Sequence, residues 1–396
     1  MKMDWLIIGG GIHGVHIAAR LLGDAGVDPC GLRIVDPGVR LLERWRTCAE
    51  TTGMTHLRSP SVHHLDLNPW SLQRFAGKRK NRKAGLFRPP YDRPSLSLFN
   101  AHCDEVIAGF GLSELHVRAR VTGLSISCDE VTVQLSDGET MTAEKIVLAI
   151  GASEQPEWPE WASREDAQVH HVFEPGFDAW PSGQESTLVV GGGISAAQLA
   201  LRLAADGRAV QLLSRHGLRA HQFDSDPGWL GPKRMAYFRR EHDIDRRRTM
   251  IVEARNRGSI PPDVVRALRR ALRRDEVLWH EGEVEQLISQ DGRRRVILST
   301  GAVLDVDQIL LATGFQSQRP GGKLIERLVK SASLPCARCG YPIVDGALRW
   351  HPRIYVSGPL AELELGPTAR NIAGARCAGD RLVEIARADF RRAASL

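Results

Sequence analysis

The chain has 396 residues, 42% hydrophobic and 25% charged, an ordinary globular composition that excludes a disordered or fibrous protein. That length exceeds what one hydrophobic core supports, so two or three domains are expected. A formal charge of +6, carried mostly by arginine, is too mild to require nucleic acid, and no apolar run is long enough to span a bilayer.

The first stretch, Asp4 to Leu22, organises everything after it. Apolar residues Trp5 to Ile8 stop at Gly9-Gly10-Gly11, and apolar residues at helical spacing follow from Val15, so the pattern predicts strand, tight turn and helix. Gly9-x-Gly11-x-x-Gly14 supplies the glycines of a dinucleotide fingerprint. The first permits the turn, the second lets backbone approach a pyrophosphate, and the third lets helix and strand pack closely. Free N–H groups at the helix N-terminus then hold phosphate. The next run, Leu32 to Asp36, is the partner strand. Its terminal acid stands 25 residues after Gly11, near the usual offset of roughly 20 for a ribose hydroxyl.

From Val39 to about Pro94 there is little periodicity, and so long an irregular segment is usually functional. It is expected to cover the reactive end of the dinucleotide. It holds Arg58, a candidate clamp for a substrate carboxylate, and His56, His63 and His64, expected to be packing or hydrogen-bonding residues. The run Lys78-Arg79-Lys80-Asn81-Arg82-Lys83 lacks the aromatic interleaving of a nucleic-acid patch and reads as a solvated loop. Leu96 to Phe110 is a predicted helix. Val117 to Gly138 alternates as a small antiparallel meander, Lys145 to Gly151 is a buried strand ending at glycine, and Ser153 to Pro159 reads as a linker.

The opening pattern then recurs. Thr187 to Val190, the turn Gly191-Gly192-Gly193-Ile194-Ser195-Ala196 and the helical Leu199 to Leu203 again give strand, glycine turn and helix. The partner strand Ala209 to Leu213 ends in Ser214-Arg215-His216 rather than an acid. An acid would repel a ribose 2′-phosphate, whereas Ser214 and Arg215 can bind one, so this half is expected to prefer NADPH to NADH. Two motifs with opposite chemistry at the strand end imply two different cofactors.

Lys233 to Arg274 is arginine-dense, with a helix from Pro262 to Arg274 whose arginines form a solvated face. Gly282 to Asp305 is a second meander, and Asp307 to Phe315 repeats the form of Lys145 to Gly151. The tail offers a strand from His351 to Val356, a turn at Ser357-Gly358-Pro359, and a long helix from Leu365-Gly366 to about Arg392, whose N-terminus would approach the first cofactor. This duplication predicts an α/β fold of two doubly wound Rossmann-like dinucleotide-binding domains. Residues 1–155 and 318–396 form the first, and 156–317 are inserted into it as the second.

The doubled glycine pattern, with Ala312-Thr313-Gly314-Phe315 between the second unit and the tail, resembles the class B flavoprotein monooxygenases, which use FAD and NADPH. Within that group the chain looks most like the ornithine and lysine N-hydroxylases. Ser195-Ala196-Ala197-Gln198 resembles their Ser-Ala-Ala-Glu, with Gln198 in place of the acid. Arg88 to Phe99 is similar to their proline-rich lead into a helix, and Met54 to Leu65 lies where their flavin-ring strand begins.

The resemblance implies that NADPH reduces FAD, that O2 adds at the flavin C4a position, and that the (hydro)peroxide oxygenates a small nucleophilic substrate, with amine N-hydroxylation favoured. Gly9, Gly11, Gly14, Asp36, Gly358 and Gly366 would hold FAD. Gly191, Gly193, Ala196, Ser214 and Arg215 would hold NADPH, with Thr313 and Gly314 there or at the domain junction. No metal-ligand pattern is present.

A rival reading on the same scaffold is an NADPH-dependent disulfide or quinone reductase, resting on Cys336-Ala337-Arg338-Cys339, since a CxxC can exchange disulfides. A third is a non-catalytic flavin- or nucleotide-binding protein. Seven cysteines without a disulfide framework fit a reducing cytoplasm. The expected partners are a small-molecule substrate and O2, without nucleic acid or membrane, and a homo-oligomer stays open.

Overall fold

A strand that is apolar over most of its length is stable only when both its faces are covered, and the strand Met3–Ile8 (β1), apolar but for the exposed Asp4, meets that demand by lying at the centre of a sheet. In the computed structural model, which describes residues 2–77, 85–183, 185–290 and 292–393, β1 pairs in parallel with Leu32–Asp36 (β2) on one side and Thr140–Leu148 on the other. The basic run Lys78 to Lys83 lies outside the described residues.

The strand order from one edge is Arg349–His351, Ile354–Val356, Thr140–Leu148, β1, β2 and His116–Arg118. The strands Val121–Ile126 and Val131–Leu135 fold back antiparallel onto the start of Thr140–Leu148. The expected meander and the expected buried strand thus share one nine-residue strand. The helix Ile12–Gly23 (α1) covers the sheet and packs on the C-terminal helix Ile372–Ala393. Gly379 permits the crossing, since a Cβ there would stand 3.1 Å from Arg20 Cγ.

After Thr140–Leu148 the chain leaves this sheet and builds a second one of five parallel strands, returning only for its last two strands. The second order is Leu278–Glu281, Ala209–Ser214, Ser186–Val190, Gln308–Leu311 and Val169–His171. Alternation sends neighbouring residues to opposite faces. Val189, Leu212 and Leu310 meet the helices Ile194–Ala205 and Pro262–Leu272, while Leu188, Leu213, Ile309 and Leu311 meet the antiparallel three-stranded sheet of residues 284–306. The fold is therefore the predicted pair of Rossmann-type units.

Two local expectations fail for identifiable reasons. Glu43–Thr51 (α2) lies in the segment expected to be irregular. Its buried face carries Arg46, whose guanidinium reaches Asp104 at 2.5 Å, so no apolar stripe marks the helix. The tail helix begins at Ile372 rather than at Leu365, after a short turn of helix at Glu362–Leu365. Gly366, at φ +79°, and Pro367 break the run between them.

The units are tied together by arginines. Arg202, on the helix Ile194–Ala205, donates to the carbonyls of Glu50 at 2.8 Å and Thr51 at 3.0 Å, closing the C-terminal end of α2. Arg44 reaches in the same way to the carbonyl of Phe173.

Candidate functional site

The two glycine turns face each other across one cleft of about 2220 Å³. In the first turn Gly9 has φ +111°, and a Cβ there would stand 2.6 Å from the carbonyl oxygen of Ala149, at the end of the neighbouring strand. Gly191 repeats the relation at φ +150°, with the Ala312 carbonyl oxygen 2.5 Å from its Cβ position. Only glycine fits either place. A Cβ on Gly14 would fall 1.8 Å from Gly9 O, so this residue serves the close packing of helix on turn. Gly11 and Gly193 differ: a Cβ on Gly11 would meet nothing within 4 Å, and one on Gly193 only Gly258 Cα at 3.7 Å. Both line the cleft and leave space above the backbone. Ala196 stands where the first unit has Gly14, fully buried beside Gly191.

Asp36 accepts the N–H of Gly10 at 2.7 Å and that of Gly38 at 2.8 Å, which fixes its carboxylate at the rim of the first turn. In the second unit Ser214 holds the equivalent place, and Arg215, the next residue, is exposed and lines the cleft. Ser214 behaves otherwise. Its hydroxyl donates to His216 O at 2.9 Å and accepts from Trp279 Nε1 at 2.9 Å, and the residue is buried, so that hydroxyl is spent inside the unit.

The tail contributes Pro359, Arg370 and Asn371 to the cleft wall, while Gly358 and Gly366 stand behind it. Gly358 backs onto the ring of His13, 3.7 Å from its Cβ position, and Gly366 packs on Met235, whose sulfur would lie 3.0 Å from a Cβ. Both glycines have positive φ, +65° and +79°, as their turns require. His13, within the first glycine turn, sets Nδ1 2.7 Å from Ser357 Oγ, and burial pushes its pKa down to about 4. Thr313 and Gly314 line the cleft and hold Glu157. Thr313 Oγ1 bonds the Glu157 carbonyl and lies 3.1 Å from His171 Nε2, and Gly314 O accepts Glu157 N–H at 2.9 Å.

Arg58 reaches the cleft from the first unit, but its Nε and Nη2 donors are engaged. Nε donates to Gln222 O, and Nη2 to His221 O and Ser259 Oγ, each at 2.8 Å. Burial lowers its pKa to about 10. The side chain is a brace onto the second unit rather than a free clamp. His56, His63 and His64 lie off the cleft. His56 Nε2 is 2.9 Å from Gly85 O, and His64 Nε2 is 3.1 Å from Pro69 O.

Two features escaped the sequence reading. The His216 ring is wedged between the turns, 2.8 Å from the Cβ position of Gly192 and 2.6 Å from that of Gly258. A charged cluster also closes the floor of the cleft. Arg255 Nη2 lies 3.5 Å from Asp224 Oδ2, Asn371 Nδ2 donates to Asp224 Oδ1 at 3.1 Å, and Arg370 Nε donates to Glu362 Oε2 at 2.8 Å. Glu362, buried, also takes Arg248.

Cys336 and Cys339 are free thiols that do not line the cleft, and burial pushes the Cys336 thiol up. Cys48 is the one cysteine among the lining residues, and burial raises its thiol as well. Among the described residues no group of three or more His, Cys, Asp or Glu is placed to hold a metal, and no helix is long and apolar enough to cross a membrane.

The family described as pyridine nucleotide-disulphide oxidoreductase matches residues 3–378. No curated protein matches the sequence significantly. The fold is similar to an ornithine N-hydroxylase from Kutzneria sp. 744, with a TM-score of 0.78 and 19% identity over 98% of this chain and 100% of that one. It is similar to the ornithine hydroxylase of Pseudomonas aeruginosa, with a TM-score of 0.76 and 15% identity over 98% and 100%. The bacillithiol disulfide reductase of Bacillus cereus also shares the fold, at a TM-score of 0.64 and 18% identity over 98% and 100%.

Proposed function

The chain belongs to the pyridine nucleotide-disulphide oxidoreductase family, and from that premise we propose that it is an FAD- and NADPH-dependent monooxygenase of a small nucleophilic substrate, amine N-hydroxylation being favoured. We propose domains at 1–155 with 318–396 for FAD and at 156–317 for NADPH, a division supported by the passage of the chain from the first sheet to the second between Leu148 and Val169 and back between Leu311 and Arg349.

The residues present fit both cofactors. The open space over Gly11 at the N-terminus of α1, with Asp36 at its rim, suits the pyrophosphate and ribose of FAD. Gly191, Gly193 and Ala196 suit the pyrophosphate of NADPH, and the exposed Arg215 suits its 2′-phosphate. FAD reduced by NADPH supplies the activation of O2. The chain itself positions and encloses. Arg58, Arg202 and Arg44, the last through the Phe173 carbonyl, clamp the two units around the cleft, and the tail residues Pro359, Arg370 and Asn371 close its floor.

The observation that carries an oxygenase over a dithiol reductase is the placement of the thiols. A dithiol reductase needs two sulfurs within reach of the flavin, and this cleft has only Cys48, while the CxxC pair stands elsewhere. Rapid mixing of the NADPH-reduced protein with O2 tests this. An oxygenase consumes O2 before the oxidised flavin spectrum returns; simultaneous return would overturn the reading. Changing Cys336→Ser and Cys339→Ser together is expected to leave NADPH oxidation unchanged.

A further inference from the structure

The floor of the cleft holds more positive charge than its acids balance. Arg58, Arg255 and Arg370 converge there, with Asp224 and Glu362 as the acids. Glu362 is already shared between Arg248 and Arg370. Arg58 touches no acid, its contacts being two carbonyls and a hydroxyl. Arg255 stands out further. Its side chain is only 22% exposed, its one acid partner is 3.5 Å away, and among the described residues its guanidinium donates no hydrogen bond. A desolvated guanidinium with a free fork of donors is costly unless an anion completes it.

The position of Arg255 separates it from the dinucleotide phosphates. Arg257, two residues on, belongs with the second glycine turn through Gly258, which lies 3.7 Å from the Cβ position of Gly193. Arg255 turns instead toward Asp224 and Asn371, and Asn371 belongs to the tail beside the first turn. It therefore stands between the two cofactor sites, where a substrate must lie to meet both.

We infer that the substrate carries an oxyanion, a carboxylate or a phosphate, held by the Arg255 fork beside Arg58, and that the molecule is anionic overall rather than a diamine. A second ammonium group would find three guanidiniums and two acids already taken, Glu362 by Arg248 and Arg370, and Asp224 by Asn371 and Arg255. The anion takes the place that Asp224 fills only at long range. This rests on the cleft being the substrate site of an oxidoreductase, as proposed above.

The test is calorimetric titration of the full-length protein, loaded with FAD and NADP+, using succinate, inorganic phosphate, L-ornithine and 1,4-diaminobutane as probes. At least one of the two anions is expected to bind, and more tightly than either cationic probe; which of them binds separates carboxylate from phosphate. Arg255→Gln is expected to weaken that binding by at least about tenfold while the affinity for NADP+ stays within about twofold. Asp224→Asn removes the competing charge and is expected to tighten it severalfold, an outcome that a damaged fold does not produce. Arg255→Lys keeps charge without the fork and should fall between wild type and Arg255→Gln. Tighter binding of L-ornithine or 1,4-diaminobutane, no binding of either anion, or an equal loss of NADP+ affinity in Arg255→Gln would each overturn the inference. Binding needs no turnover, so a protein that binds the anion but returns its flavin spectrum together with O2 consumption would sink the monooxygenase reading alone.

Discussion

The ring of His13, in the first glycine turn, is joined through Nδ1 to the hydroxyl of Ser357 at 2.7 Å, across 344 residues of sequence. This bond fastens the first cofactor turn to the returning tail. Ser357 is fully buried and the His13 ring is half-buried at the cleft wall, so removing the hydroxyl takes away the protein partner of Nδ1. Ser357→Ala is expected to cost about 1–3 kcal/mol in urea unfolding. Part of that loss should be recovered when FAD is added in excess, because the ligand holds the same turn. A variant as stable as wild type would show that the bond contributes nothing.

Gly11 and Gly14 sit three residues apart and should fail in opposite ways. A methyl at Gly14 collides with Gly9 O, so Gly14→Ala is expected to yield little folded protein. A methyl at Gly11 meets no atom of the chain. Gly11→Ala is expected to keep the unfolding free energy of the apoprotein within about 0.5 kcal/mol while losing most of its flavin, because the methyl occupies phosphate space. Absorbance at the flavin band against protein content reads the difference.

Ser214 and Arg215 are likewise adjacent in sequence and separate in role. Arg215→Ala is expected to raise KM for NADPH about tenfold or more and to change KM for NADH little. Ser214→Ala should leave that ratio alone and lower stability, because it strips the partner from Trp279 Nε1. Equal effects of Arg215→Ala on the two coenzymes would refute the 2′-phosphate assignment.

Acid should unfold this protein early. His16, His64 and His171 are fully buried, and burial is the main cause that lowers them to about 3, about 4 and about 4. For His171 the tautomer follows from its bonds: Nδ1 accepts Phe173 N–H at 3.2 Å, so Nε2 carries the hydrogen toward Thr313. In the unfolded chain these rings titrate near 6.5. Between that pH and about 4 the unfolded state binds more protons than the folded one, so stability is complete above about 6.5 and declines as the pH falls through the window. Each ring contributes on the order of 3 kcal/mol. Urea midpoints at pH 7, 6, 5 and 4.5 should fall steadily; a flat series would contradict the burial of these rings.

The sheet strands and both turns were legible because apolar runs, glycine spacing and a strand-end acid are local signals. The fold needed nothing else. What was hidden depends on residues that look ordinary in sequence. Arg46 on the inner face of α2 erases its apolar stripe, and Gly366-Pro367 displaces the start of the last helix. In the cleft, Arg255 and Asp224 come from loops 31 residues apart and meet Asn371 from the tail, so no spacing announces them. His216 was in plain view beside Arg215, but its wedge between Gly192 and Gly258 is set by a loop 42 residues later. Arg58 was noticed for its charge, yet its role as a brace depends on carbonyls more than 160 residues away.

The reach of Arg202 to the last carbonyls of α2 sets a schedule for synthesis. Glu50 and Thr51 leave the ribosome 152 and 151 residues ahead of the side chain that caps them. At roughly 5–20 residues per second, that is a wait of about 8–30 seconds during which the Thr51 carbonyl turns to water and that of Glu50 keeps only local backbone N–H partners such as Gly53. The strand Ile354–Val356, which lies beside Thr140–Leu148, arrives later still. The part of the protein made first is thus the part finished last, and a nascent chain stopped near residue 155 carries an open helix end and an unpaired sheet edge.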